Sequence, residues 1–62
     1  MTPAECRQRR AALGASTYSL AARAGLAERT VVRFEAGLAA ARPITLVALR
    51  RGFRVLETEV ST

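Results

Sequence analysis

The chain contains no histidine, lysine, aspartate or tryptophan, and its single cysteine is Cys6. One cysteine cannot form a disulfide within the chain, and without histidine the usual zinc and acid–base sites lose their principal side chains. No nucleophile paired with a base and no phosphate-binding loop is visible either. We therefore predict that the protein is not an enzyme and that it has neither a metal site nor a cofactor.

Aromatic residues and long apolar runs are also scarce. Because the only aromatic residues are Tyr18, Phe34 and Phe53, a roomy apolar pocket for a small-molecule ligand is not expected. No run of about 18 apolar residues is present, and the first residues lack the apolar core of a signal peptide. The sequence thus predicts one small cytoplasmic domain, residues 1–62, with no membrane partner.

Positive charge is in excess, and all of it comes from arginine. Ten arginines against five glutamates give a net charge of +5. The guanidinium fork suits bidentate recognition of phosphate and guanine, which favours nucleic acid as the partner over a membrane surface or an acidic protein. A simpler interpretation is that the charge only keeps a small protein soluble. The alanine-rich and arginine-rich composition without lysine suggests a GC-rich bacterial or phage source.

The first helix is predicted from its capping signals. Thr2 can cap it, Pro3 suits its first turn, and Glu5 completes a capping box. The helix is expected to run through residues 3–13 and to stop at Gly14. Helical spacing predicts an inward face of Cys6, Arg10 and Leu13.

Two short helices should follow with only a few residues between them. Ser16 is a good N-cap for a second helix that ends at Gly25, and a third helix is expected over residues 28–36, ending at Gly37. Two helices joined by so short a turn must cross steeply. Their predicted inward residues are Leu20, Ala21, Ala24, Val31 and Phe34.

A fourth helix is predicted after a loop over residues 37–44. Thr45 is the expected N-cap, and Ile44 is spaced to pack on Leu49 as a hydrophobic staple. The predicted inner stripe is Leu46, Leu49, Phe53 and Leu56. The segment 57–62 is expected to be either a frayed helix end or a short strand.

Residues 17–36 resemble the helix-turn-helix of the phage repressor and Cro-like DNA-binding family, the xenobiotic-response-element type. The matching residues are Leu20, Ala21, Ala24, Gly25, Val31 and Phe34, followed by "FEAG" at 34–37. The flanking segments "ECRQRRAALGAS" and "RPITLVALRRGF" are similar to the family's first helix and to the helix after its loop, so the resemblance covers about residues 2–56. It implies an all-α, lambda-repressor-like bundle of four or five helices.

The resemblance also implies a binding mode on double-stranded DNA. The helix over residues 27–36 would lie in the major groove. The family's base-contacting positions fall on Glu28, Arg29 and Arg33. The expected phosphate contacts are Thr17, Tyr18, Thr30 and Arg42. In the family, an arginine of the first helix pairs with the glutamate that ends the recognition helix, and by position these residues are Arg10 and Glu35.

Simpler roles remain open for several of these residues. Glu28 lies in a first helical turn, where the helix dipole favours a carboxylate. Thr30 could bond within its own helix, Arg33 could only be solvated, and Tyr18 could be a surface aromatic. A cluster on the fourth helix forms either a solvated face or a contact with a partner or with distant phosphates: Arg50, Arg51 and Arg54.

The predicted function is a sequence-specific transcriptional regulator, a repressor that binds a palindromic operator as a homodimer. The alternative is an antitoxin-like or antirepressor-like protein-interaction module on the same fold, which would hold a protein partner through its arginines or through Leu38 and the alanine-rich loop. The sequence departs from the family at Thr17, where a glutamine is usual, and at Ala27, where a Ser or Thr cap is usual. The missing cap should cost about 1 kcal/mol of helix stability.

Overall fold

Four helices form the domain in the computed structural model, which describes residues 1–40 and 42–61. They are α1 (Pro3–Ala12), α2 (Thr17–Ala24), α3 (Glu28–Glu35) and α4 (Pro43–Ser61). The described residues contain no strand and no fifth helix, so the predicted all-α class is confirmed with four helices. Within the same residues, none of the helices is both long enough and apolar enough to cross a bilayer.

The start of α1 is the predicted capping box. The Thr2 hydroxyl accepts a hydrogen bond from the Glu5 backbone N–H at 3.1 Å, and the Glu5 carboxylate accepts one from the Thr2 N–H at 2.8 Å. Pro3 occupies the first turn, where its missing N–H costs nothing. The backbone hydrogen bond from Thr2, helped by the one with its hydroxyl, lowers the pKa of the Glu5 carboxyl.

α2 and α3 are joined by residues 25–27. Ser16 caps α2 by accepting a hydrogen bond from the Ser19 N–H. Gly25 ends α2 with φ at +71°, a left-handed conformation that glycine adopts without steric cost. Ala27 precedes α3 and provides no side-chain cap, as the sequence predicted.

The core is built by all four helices. α2 lies at its centre, packing on α3 along one side and on α4 along the other. Leu46, expected in the inner stripe of α4, is only half-buried. The main buried side chains are Cys6, Leu20, Ala21, Val31, Phe34, Leu49, Phe53 and Leu56.

α2 and α4 approach each other closely at Gly52. A Cβ atom added at Gly52 would lie 2.9 Å from the Ala24 Cβ, 3.0 Å from the Ala24 backbone nitrogen and 3.1 Å from the Leu20 Cδ1. Real side chains do not pack at such distances, so the crossing of the two helices requires the absence of a side chain here. Sequence analysis did not single out this glycine.

The predicted start of α4 was wrong. The helix begins at Pro43, two residues before Thr45, and the Arg42 carbonyl accepts a hydrogen bond from the Leu46 N–H at 3.1 Å. Proline is favoured at the first helical position because it has no N–H that would need a partner. Ile44 therefore lies within the helix, is 77% exposed and cannot form the expected staple with Leu49.

The prediction of a frayed end or a short strand for residues 57–62 was also wrong. α4 continues to Ser61, and Thr62 lies outside the described residues. Two ion pairs hold these last turns against the rest of the domain, one from Arg9 to Glu57 at 2.8 Å and one from Arg23 to Glu59 at 2.9 Å. Arg9 also lies over the ring of Phe53, 4.5 Å from its centroid, a favourable cation–π distance.

Candidate nucleic-acid interface

The first residues of α2 and α3 are in contact. The Thr17 hydroxyl donates a hydrogen bond to Glu28 Oε2 at 2.8 Å, which ties the two helix starts together and orients the carboxylate. The first turn of any helix has backbone N–H groups without partners in the helix. Because α3 has no side-chain cap, its N–H groups at this end are not covered by the Ala27 side chain. This end of the domain therefore combines an oriented carboxylate with backbone donors.

Arg29 and Arg33 share the outward face of α3. They are one helical turn apart and opposite to Val31 and Phe34, which are buried in the core. Both arginines are exposed. Neither guanidinium has an ion pair or a hydrogen bond to any residue that the structure describes. α3 thus presents two guanidinium groups that are free to bind an external acceptor.

The remaining predicted contact residues lie in different settings. Tyr18 follows Thr17 on α2 and is 67% exposed. Thr30 is half-buried, and its hydroxyl forms no bond within residues 1–40 and 42–61, so the alternative of a bond within its own helix is not observed. Arg42 is exposed on the loop before α4, away in sequence from the joined starts of α2 and α3.

The other end of α3 is anchored to α1 by the ion pair that the resemblance implied. Arg10 Nε donates to Glu35 Oε2 and Arg10 Nη2 donates to Glu35 Oε1, both at 2.9 Å. Arg7 adds a hydrogen bond to the Glu35 carbonyl oxygen. Glu35 is only 6% exposed, so its carboxylate is largely shielded from water. The bidentate pair with Arg10 therefore joins α3 to α1 through a buried charge.

Cys6 completes the cluster around Glu35. Its thiol donates a hydrogen bond to Glu35 Oε2 at 3.3 Å. Burial, together with the adjacent carboxylate, raises the pKa of the Cys6 thiol to about 12. Sequence reasoning placed Cys6 and Arg10 on one inward face but did not predict the bond from Cys6 to Glu35. It missed Arg7, although helical spacing places that residue one turn from Arg10 on α1.

Every glutamate has a partner within the domain. Glu5 is bound at the cap of α1, Glu28 at Thr17 and Glu35 at Arg10, while the last two form the ion pairs with Arg9 and Arg23. Among the described residues, the arginines without an ion pair or a side-chain hydrogen bond are Arg29, Arg33, Arg42, Arg50, Arg51 and Arg54. The uncompensated positive charge is therefore concentrated on α3, α4 and the loop between them.

No family model matches this chain, and comparisons with curated proteins and with solved structures give no match. The geometry and chemistry of the residues are therefore the basis for a functional proposal.

The Glu35 cluster predicts a specific acid sensitivity. Burial acts to raise the pKa of the Glu35 carboxyl, but the hydrogen bonds from Arg10 and Cys6 outweigh it, so the pKa lies below its ordinary value of 4.5. Below that pH the unfolded chain binds more protons at this site than the folded one, so the stabilisation is complete above pH 4.5 and is lost as the pH falls through the folded pKa. In urea unfolding at several pH values, Glu35→Gln should therefore show a shallower loss of stability with acid than the wild type.

Glu5 provides the matched control, because its pKa is also lowered but its carboxyl is exposed. Glu5→Gln should retain the part of the acid dependence that comes from Glu35. An acid profile of Glu35→Gln identical to that of the wild type would contradict this assignment.

Proposed function

We propose that the protein is a sequence-specific DNA-binding transcriptional regulator of the phage repressor and Cro-like helix-turn-helix type. In this proposal it is a repressor that binds a palindromic operator as a homodimer, with α3 in the major groove. The observation that carries the proposal is the pair of exposed arginines on the outer face of α3, Arg29 and Arg33, which have no partner among the described residues. The opposite face of the same helix is fixed in the core.

The chemistry of α3 suits the edges of base pairs. The major groove, about 12 Å wide, admits one helix, and an arginine fork matches the O6 and N7 acceptors of guanine. Arg29, in the first turn of α3, is the strongest candidate for such a contact. Glu28 can accept a hydrogen bond from the amino group of cytosine. Because Thr17 already holds its carboxylate, Glu28 would enter the groove in a fixed orientation.

The phosphates would be bound mainly from the start of α2. Tyr18 would contribute its hydroxyl, and Thr17, whose hydroxyl proton is donated to Glu28, would contribute its backbone N–H beside the joined helix starts, where such groups favour an anion. Thr30 has a hydroxyl without a bonding partner in the described part of the chain, and Arg42 adds a charge from the loop. Such contacts set the position of the protein on the duplex, while the α3 side chains distinguish sequences.

A dimer is proposed because one domain offers few phosphate contacts. A few contacts give weak binding that falls steeply with salt. Two domains on half-sites about one helical turn apart would raise the affinity through effective concentration.

Replacing Arg29 by alanine tests the assignment of α3. We expect a loss of about 1–3 kcal/mol in operator binding and a relaxed preference at one base pair of each half-site. Arg54→Ala is the matched control, because it removes the same charge from an exposed, unpaired arginine on α4. Electrophoretic mobility shifts at constant salt would measure both. If the two variants behave alike, α3 is not the recognition helix.

The operator itself would come from selection of the purified protein on a random duplex pool at about 0.15 M salt. An enriched palindrome with half-sites one helical turn apart is the expected result. Failure to enrich any sequence would overturn the proposed function, because the charge would then give only non-specific binding.

A further inference from the structure

The outer face of α4 is both cationic and apolar. The helix directs Leu49, Phe53 and Leu56 into the core, so the opposite side of α4 is turned away from α2. We call this side the arginine face, defined by Ile44, Val47, Arg50, Arg51, Arg54 and Val55. All six residues are exposed.

The arginines of this face surround an open depression. Side chains one turn apart along α4 enclose an open depression of about 210 Å³, lined by Val47, Arg50, Arg51 and Arg54. None of the three guanidinium groups has an ion pair or a hydrogen bond among the described residues. Since every glutamate is engaged elsewhere, none of the glutamates in the described part of the chain is left to neutralise this face.

We propose that the arginine face binds an acidic amphipathic helix of another protein. The apolar side chains of the partner would pack on Val47 and its exposed neighbours Ile44 and Val55, and its carboxylates would pair with the arginines. This is helix recognition by residues at helical spacing with complementary charge. The surface is separate from the outer face of α3, so binding here does not depend on the proposed DNA contacts.

The composition of the face disfavours other occupants. A second copy of the chain packed through the same face would place its arginines against the arginines of the first copy. The repulsion between these like charges disfavours such a dimer. Helices that bind lipid surfaces insert Trp, Phe or Leu, whereas the apolar residues here are the β-branched Ile44, Val47 and Val55. A duplex backbone would satisfy the arginines but offers little apolar surface to those three side chains.

A labelled synthetic peptide tests the proposal. The probe is an acidic amphipathic helix of about 18 residues, five turns, with Leu on one face and Glu on the rest. A second peptide has Gln in place of every Glu. Two double variants of the whole chain are matched in charge and in exposure, Arg51→Ala/Arg54→Ala on α4 and Arg29→Ala/Arg33→Ala on α3. Circular dichroism confirms that both fold, and fluorescence anisotropy measures peptide and duplex binding.

We expect saturable binding of the acidic peptide and much weaker binding of the Gln peptide. The α4 double variant should lose about tenfold in peptide affinity, as two surface charge contacts imply, while the α3 double variant keeps it. Duplex binding should show the opposite pattern.

Three results would overturn the proposal. The wild type could show no saturable peptide binding, or both double variants could weaken it equally, which would indicate net charge alone. The α4 double variant could instead lose affinity only for duplex DNA or for phosphatidylglycerol vesicles, which would assign the face to phosphates. If both double variants bind duplex DNA as well as the wild type, the result would count against the DNA-binding proposal. It would not affect the peptide result.

Discussion

Replacing Arg10 by methionine is expected to destabilise the protein severely. The change leaves the Glu35 carboxylate, which is nearly inaccessible to water, without its bidentate partner. Breaking a buried ion pair from one side costs about 3–5 kcal/mol. A chain of this length has a total stability of about 3–9 kcal/mol, so the loss removes a large part of it. Chemical denaturation followed by circular dichroism would measure the difference.

Two further variants separate burial of the carboxylate from loss of an arginine. Arg23→Met breaks the more exposed ion pair with Glu59 and should change stability only slightly. Arg10→Met/Glu35→Met removes both charges and should recover much of the lost stability, because apolar replacement of both partners is often neutral. Equal destabilisation by Arg10→Met and Arg23→Met would show that the Glu35 pair does not hold α3 in place.

Replacing Gly52 by leucine is expected to be nearly as damaging. Leucine favours helices more than glycine by almost 1 kcal/mol, so propensity alone predicts a gain. The first added carbon, however, would meet the backbone nitrogen and the Cβ of Ala24, and backbone cannot move aside as a flexible side chain can. α2 and α4 must separate, and we expect a net loss of about 3 kcal/mol.

Arg51→Leu is the control for this substitution. It introduces the same side chain at the neighbouring, exposed position of α4. In thermal unfolding, the midpoint temperature of Arg51→Leu should be close to that of the wild type. The midpoint of Gly52→Leu should be lower by about 10 °C or more. A Gly52→Leu protein as stable as Arg51→Leu would mean that the two helices do not cross so closely.

Much of the fold follows from local signals. The capping box at Thr2, the cap at Ser16 and the left-handed Gly25 set the ends of α1 and α2 before any tertiary contact is considered. Helical spacing then identifies the buried faces, including Val31 and Phe34 of α3. Where a helix end or a buried face depends on a few neighbouring residues, the sequence predicts the structure well.

The errors occur where distant residues decide. The segment 57–61 contains β-branched residues that are weak helix formers, yet it continues α4, and Glu57 and Glu59 pair there with arginines on other helices. Nothing local indicates those partners.

At the start of α4 the local signals themselves compete. Proline is favoured at the first helical position and threonine at the N-cap, and these two preferences do not determine which residue begins the helix.

The candidate interface was predictable in part. Spacing places Arg29 and Arg33 on the outer face of α3, because the core requires Val31 and Phe34 on the opposite face. The hydrogen bond from Thr17 to Glu28 was not predictable, since it depends on how closely the starts of α2 and α3 approach. Periodicity gives the face of each residue but not its bonding partner in another helix.

The location of Cys6 means that chemical modification of its sulfur reports unfolding of the domain. The thiol is fully buried, and with a pKa of about 12 it is hardly ever a thiolate at neutral pH, so oxidants and alkylating reagents find no nucleophile in the folded domain. Only a molecule that has opened exposes the sulfur to reaction. A covalent dimer on a non-reducing gel would therefore count chains that have been unfolded, and it would be a different species from any dimer assembled on DNA.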